Sequence, residues 1–460
     1  MDFATPLSPD PRKSTLRQRL LGAARWTLLG HFASQLLRFG SNLILTRLLA
    51  PDLYGVMSVG YMLFTGLGMI SDLGLGAVVA RSHRGDDPTF LNVVWIAQIG
   101  RGVLMTLGAL GLSAALGLGA ATALFPAHSV YTDRRLPGLL AVVSLYGVVY
   151  GLESTKSLWA RRNLSLAALT RIDLVAQAGT TAFILTWAWI DPSIWALGVG
   201  WVFGTALRTA LTHWKLPGPS NRFEWDRTAF AEIIDFGKWA LVSSPISFLL
   251  SSGDRLVLGS LLDANDMGFY AIAFLLITAL QTVVLKVVGY SVLPALGEIV
   301  RLRPAELKKT IYRIRRPLDV ACIVTAGALF ALGGPIVKLL YDSRYSPAGW
   351  MLSLVALTLV TTQLNVFDQC LIALGRNKLL SGLNAIRLLA LYSLIPLGYF
   401  FWGVKGAVAA VPLAGFVNAV ILLAVQGRLG LLDLKREALA LPLFAAGLTS
   451  GWLIDLILPR

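Results

Sequence analysis

The chain has 460 residues, 56% of them hydrophobic and only 14% charged, with a mean hydropathy of +0.68. Soluble domains carry roughly a quarter charged residues, so this composition excludes a soluble globular protein. The formal net charge of +15 alternates with apolar stretches and forms no nucleic-acid reader motif, so it is read as membrane topology and attraction to anionic lipid, with no nucleic-acid partner.

Residues 1–25, with Pro6, Pro9, Pro11, Arg12, Lys13, Arg17 and Arg19, read as a polar, loosely ordered cytoplasmic tail. No cleavable signal is expected, because the first apolar run is long and lacks a small-residue cleavage pattern. Apolar runs of the length needed to cross about 30 Å of hydrocarbon then recur to the end of the chain. Twelve spans are predicted, centred in 26–46, 56–80, 90–115, 138–158, 165–189, 193–213, 238–260, 269–296, 318–341, 350–374, 379–401 and 406–427. A candidate thirteenth lies at 439–457, as a further span or as a re-entrant or interfacial helix, which leaves thirteen or fourteen helices open. The expected fold is therefore an all-α integral membrane protein. Its expected divisions are an N-lobe at 26–213, a cytoplasmic linker at 214–237, a C-lobe at 238–427 and a C-terminal segment at 428–460.

The basic residues set the orientation. With the N-terminus cytoplasmic, inside segments hold 25 Lys and Arg and outside segments hold seven, a strong positive-inside bias. Cys322 and Cys370 both lie in apolar spans and suggest neither a disulfide nor a thiolate metal site. His31, His83, His128 and His213 are scattered without ligand spacing. No cofactor and no metal is expected.

Shifted by 213 residues, the region 25–67 lies on 238–280 without a gap. Trp26, Ser34, Gly40, Gly55 and Thr65 meet Trp239, Ser247, Gly253, Gly268 and Thr278, among other identities. Six predicted spans separate the copies, and an even number gives both halves one orientation. That is a parallel repeat. Two six-helix lobes around a central cavity follow as the expected architecture, which belongs to transporters more readily than to enzymes.

The segment Leu43 to Gly55, reading LILTRLLAPDLYG, resembles the signature of the polysaccharide-transporter family. Its counterpart Asp254 to Leu262, followed by Gly268-Phe269-Tyr270-Ala271, resembles it too, as do Asp235-Phe236-Gly237-Lys238-Trp239 and Ala373-Leu374-Gly375-Arg376. These are the Wzx-type lipid-linked oligosaccharide flippases of the MOP superfamily, which also contains multidrug extruders and lipid II flippases. The likeness covers residues 20–430. Within the signature, Pro51 cannot continue the first span and Gly55 permits a tight connection, so these residues read as shaping the lobe rather than touching substrate.

The resemblance implies a polyprenyl-pyrophosphate oligosaccharide as substrate, moved across the inner membrane of a bacterium for O-antigen, capsule or exopolysaccharide assembly. Membrane lipid, a polymerase and a chain-length regulator are the other implied partners. Ionisable residues inside a membrane are costly and mark sites. Arg38, Arg101, Arg171 and Arg208 in the N-lobe are the candidate pyrophosphate holders, because a guanidinium fork matches phosphate oxygens. Arg38 and Arg101 lie near midplane by residue count, and Arg208 sits close enough to the cytoplasmic end to snorkel. Asp72, Asp254, Arg255, Lys286, Asp368 and Arg387 are candidate coupling or gating residues. Glu153 and Lys156, three apart, are expected to pair locally, while Asp72, Asp173 and Asp368 are expected to neutralise arginines or bind a coupling cation. Gly200 and Gly204 read as a close-packing pair. The aromatics, Trp201 among them, read mainly as an interfacial belt, with sugar stacking by one or two of them left open.

Three alternatives remain: a lipid II exporter, a drug or cation exporter of the same superfamily, and a membrane glycan polymerase or ligase. A drug antiporter favours acids over arginines. An enzyme of this kind favours a large outside loop, whereas the longest here, about 124–137, holds one Asp and one His. No D-x-D motif and no nucleotide-binding glycine pattern occurs. The chain is therefore not expected to be an enzyme.

Overall fold

A computed structural model describes residues 16–119 and 124–457. Most of the predicted N-terminal tail therefore lies outside the described residues. Among these residues the fold is all helical, with no strand. The helices are α1 (Leu16–Leu48), α2 (Pro51–Ile70), α3 (Leu75–Arg81), α4 (Pro88–Gly117), α5 (Arg135–Gly151), α6 (Lys156–Arg162), α7 (Leu166–Ile190), α8 (Ile194–Lys215) and α9 (Arg227–Leu261). They continue with α10 (Ala264–Val287), α11 (Leu293–Leu302), α12 (Leu307–Leu340), α13 (Ala348–Ala356), α14 (Leu359–Thr362), α15 (Asn365–Ala373), α16 (Asn377–Arg428), α17 (Leu434–Glu437) and α18 (Ala440–Ile457).

Helix lies over each of the twelve predicted spans. Nine helical segments among the described residues are long and apolar enough to cross a membrane, ten if α5 and α6 form one span. The 52-residue α16 accounts for two predicted spans: Trp402 and Gly403 leave helical geometry, Gly403 with a left-handed φ of 59°. Helices α1 and α7 are long enough, at 33 and 25 residues, but their polar residues hold them below the apolarity of the others. The C-terminal candidate at 439–457 forms α18, and the stretch Leu434–Ile457 meets the same requirements.

Two spans differ from expectation. The second, predicted over 56–80, stops at Ile70 and resumes as α3. Gly74 takes φ 60° between them, and the Asp72 carboxylate accepts its N–H at 3.0 Å, a local turn that competes with continued helix. The fourth breaks between α5 and α6 with a 61° bend. That break also undoes the expected Glu153–Lys156 pair, since i,i+3 proximity needs unbroken helix. Lys156 Nζ donates instead to the His213 carbonyl at 2.9 Å.

The chain forms two compact units. Unit 1 comprises residues up to Leu49, Val59–Leu124 and Tyr131–Phe248; unit 2 comprises Ala50–Ser58, Phe125–Val130 and Leu249 onward. The chain passes from one to the other within α9, three residues beyond Pro245.

In unit 1, α4 packs along α5, and α8 along α7. Small residues set these spacings: a Cβ on Gly200 would meet Ile184 at 2.2 Å, and one on Gly204 would meet Thr180 at 2.0 Å, as a small-xxx-small pair requires. Helix α4 starts cleanly because the Asp87 side chain caps Thr89 N–H and Pro88 occupies the first turn. The segment 216–226 is not helical and is pinned to α4. Asn92 accepts from Arg222 N–H and donates to Glu224, while Arg84 bridges Asp87 and Asp226. The Arg84 hydrogen bond, helped by Thr228, holds the Asp226 carboxyl below the usual carboxylate range.

In unit 2, the start of α2 lies against the start of α10. A Cβ on Gly55 would fall 1.9 Å from the Ala264 carbonyl, and one on Gly268 would fall 1.9 Å from the Pro51 carbonyl. Helix α18 packs on α12 in the same manner, with Gly327 facing the Phe444 carbonyl and Gly447 facing that of Val324. Below it, buried Arg315 is held by Asp319 and by Glu437 of α17.

Candidate functional site

Among the described residues, each unit lines a cavity of ligand size. The unit 1 cavity, about 590 Å³, is bounded by α1, α5, α7 and α8. Apart from Thr181, the polar and aromatic residues that reach it from these helices recur at helical spacing: His31, Ser34 and Arg38 on α1, then Thr170, Asp173, Gln177 and Thr180 on α7, then Trp201, Thr205 and Arg208 on α8. Steps of three and four place each set on one helix face, so the polar stripes that lower the apolarity of α1 and α7 are the cavity wall.

Two of the four candidate arginines reach this wall, in different states. Arg208 is committed: its Nε donates to Asp173 at 2.8 Å and its Nη1 to Glu153. Glu153 is buried, with a side chain 6% exposed, whereas Asp173 is 45% exposed. Arg38 is exposed and makes no ion pair among the described residues. The two arginines and the two acids cancel formally, yet the cancellation is uneven in space. Arg208 is neutralised on site, and Arg38 keeps an available guanidinium fork.

The other two arginines lie outside this lining. Arg101 donates to the Gly68 carbonyl at 2.7 Å and approaches Asp72 at 3.6 Å, holding the end of α2 to α4. Arg171 stacks over the Trp26 ring, 5.6 Å from its centroid. Of the carboxylates expected to neutralise arginines across helix interfaces, Asp72 and Asp173 do so.

The unit 2 cavity, about 410 Å³, collects Asp254, Asp368 and Arg387 from the candidate list. Asp254 is buried and accepts from the Tyr270 hydroxyl at 2.6 Å. Its neighbour Arg255 points elsewhere, to Ser252 at 2.9 Å and over the Phe274 ring at 4.5 Å, so the two adjacent charges find separate partners. Asp368 makes no ion pair among the described residues, although Arg387 lines the same cavity. Lys286 lies on α10 outside this lining. The 213-residue shift carries Arg38 onto Ser251, and both line the cavity of their own unit. Repeat-related walls thus hold a cation in one unit and a hydroxyl in the other.

The sequence reads Trp201 mainly as a lipid-interface residue, with sugar stacking left open for one or two of the aromatics. It lines the unit 1 cavity instead, in ring contact with Tyr61, Phe64 and Tyr146 at 4.6, 5.6 and 4.8 Å. Tyr270 and Asn418 of unit 2 were also missed. The signal that finds such residues is a polar or aromatic stripe at three- and four-residue steps within an apolar span.

A sequence profile of the family described as polysaccharide biosynthesis protein matches residues 44–349, more than half the chain. The chain belongs to this family. Among curated relatives, the amylovoran biosynthesis protein AmsL of Erwinia amylovora is 27% identical over 241 residues, 51% of this chain and 60% of that protein. The match thus spans less than two thirds of AmsL's length. The succinoglycan biosynthesis transport protein ExoT of Rhizobium meliloti (strain 1021) is 24% identical over 370 residues, 79% of this chain and 71% of its own. Among solved structures, the lipid II flippase MurJ in an inward closed conformation superposes with a TM-score of 0.69 at 13% identity, covering 96% of this chain and 93% of that one. An inward-facing multidrug resistance MATE family transporter of the MOP superfamily gives 0.64 at 12% identity, covering 86% and 94%. The chain is therefore a multi-pass membrane protein with the fold of those transporters.

Proposed function

We propose that the protein is a flippase that moves polyprenyl-pyrophosphate-linked oligosaccharide from the inner to the outer leaflet of a bacterial cytoplasmic membrane, and that it catalyses no covalent chemistry. The observation that carries this reading is Arg38, an exposed guanidinium on the wall of a cavity between membrane-length helices. A cation so placed is expensive unless an anion visits it. The substrate's obstacle is its head, a pyrophosphate of about two charges whose desolvation costs many kcal/mol. A polar cavity with one available fork lowers that cost while the lipid tail stays in the bilayer.

The family and the amylovoran and succinoglycan biosynthesis for which AmsL and ExoT are named support this cargo, and the fold shared with MurJ supports a transporter architecture. The same reading keeps the N-terminus cytoplasmic, assigns Arg101, Arg171 and Arg208 to shaping the N-terminal half around Arg38, and makes a polymerase the recipient of the exported unit. Asp254, Asp368 and Arg387, with Arg255 and Lys286 nearby in sequence, are the residues through which the second unit would couple or gate transport, as Asp72 would in the first.

Arg38→Ala should abolish glycan export at normal protein level, and Arg38→Lys should restore little of it, since an ammonium lacks the bidentate fork. Export by Arg38→Ala at the wild-type rate, measured in cells lacking the native copy, would overturn the assignment.

A further inference from the structure

The unit 1 cavity offers more than an anion requires. A phosphate needs donors, whereas this wall also presents an aromatic side chain and free acceptors. Trp201 is fixed by three ring neighbours and still lines the space, beside Tyr146. Asp173 gives Oδ1 to Arg208, and its Oδ2 takes no hydrogen bond from the described residues. Thr205 donates to the Trp201 carbonyl at 3.0 Å and keeps its lone pairs. Thr181, also in the lining, makes no side-chain hydrogen bond among the described residues.

An aromatic ring is negative on its face and accepts the weakly positive C–H groups of a pyranose, while vicinal hydroxyls suit a carboxylate and threonines. At about 590 Å³ the cavity falls in the range of small-molecule sites. That is room for a sugar ring with its phosphate.

We propose that the unit 1 cavity is a saccharide subsite for the sugar that carries the phosphate, with the ring against Trp201, hydroxyls on Asp173 and Thr181, and the anomeric phosphate on Arg38. The assignment rests on the flippase reading for its cargo and adds the chemical class held here: a hexose 1-phosphate unit. Arg38 and Trp201 stand on different helices, α1 and α8, so the subsite reads the junction between sugar and phosphate rather than either group alone.

The test uses the full-length protein in lipid nanodiscs and saturation-transfer NMR with glucose 1-phosphate, galactose 1-phosphate, a methyl glucoside and inorganic phosphate as probes. At least one hexose 1-phosphate should bind, with its ring protons receiving saturation, and inorganic phosphate should bind more weakly. Trp201→Leu should weaken the sugar phosphate by roughly tenfold and leave inorganic phosphate unchanged. Trp201→Phe should retain most of the binding. Thr181→Val, a near-isosteric change, should weaken the sugar phosphate and not the phosphate, which keeps the test open if Trp201→Leu fails to fold. Arg38→Gln should reduce sugar phosphate to the level of the methyl glucoside.

Inorganic phosphate matching every hexose 1-phosphate, or Trp201→Leu and Thr181→Val both binding as wild type does, would reduce the cavity to an anion site and overturn the proposal. Absence of any sugar phosphate binding would overturn it as well. Glycan export in cells is read separately: export without sugar binding sinks only the subsite, whereas sugar binding without an export defect in a deletion strain sinks the flippase reading.

Discussion

Arg208 and Arg38 share a cavity wall, and their substitution should have opposite signatures. Arg208→Ala strands Glu153, whose side chain is only 6% exposed. Removing one partner of a buried pair costs about 3–5 kcal/mol, because an uncompensated charge stays behind. Asp173, at 45% exposure, is hydrated and adds less than about 1 kcal/mol. Nearly the whole loss therefore belongs to Glu153, and Glu153→Gln in the Arg208→Ala background should recover most of it. With an unfolding entropy of ~2.1 cal/mol/K per residue, a chain of this length loses roughly 1 °C of Tm per kcal/mol, so the single variant should melt roughly 3–5 °C lower. Size-exclusion of heated, detergent-solubilised fluorescent fusions measures this directly. Arg38→Ala should melt with the wild type. If Arg208→Ala keeps full stability yet loses export, or if Glu153→Gln restores nothing, Arg208 is serving the substrate and the structural reasoning fails.

Three further outcomes are expected. Single cysteines at Arg84, Arg161, Arg222, Lys308 and Lys378 should be shielded from an impermeant thiol reagent in intact cells, and those at Asp52, Tyr131 and Ser346 labelled; the native Cys322 and Cys370 are buried and should stay silent. Gly268→Ala should cost about 1–3 kcal/mol by overpacking, since its Cβ would fall 1.9 Å from a backbone oxygen; a melt equal to wild type would mean that contact is loose. Asp368→Asn should leave substrate binding intact and remove the dependence of transport on an imposed proton or sodium gradient in proteoliposomes, whereas an unchanged gradient dependence would clear Asp368 of coupling.

The spans were legible because hydrocarbon thickness fixes their length, and each predicted stretch holds helix. The breaks were less so: Gly74 and the 152–155 turn sit inside apolar runs whose length says nothing about direction. The candidate arginines were legible as costly residues, but not their partners. Arg208 takes one carboxylate from α7 and another from the turn after α5, a pairing that no spacing announces. Arg101 finds Asp72 across 29 residues for the same reason. The wall itself was written in the sequence as His31, Ser34 and Arg38, and as Thr170, Asp173, Gln177 and Thr180. Reading charges one at a time passed over these stripes and left Trp201 to the lipid.

The glycine contact between α2 and α10 carries a consequence of another kind. Position 55 is the repeat counterpart of 268, and 51 that of 264. Gly55 approaches Ala264 while Gly268 approaches Pro51 at the same 1.9 Å. Each half therefore presents to the other the patch that it receives, which is the reciprocity of a two-fold homodimer interface. A single half-length sequence would suffice to make both sides of that contact with a second copy of itself. In the fused chain, widening either glycine would jam both faces of one joint, so the two copies are not free to drift apart there as they have at Arg38 and Ser251.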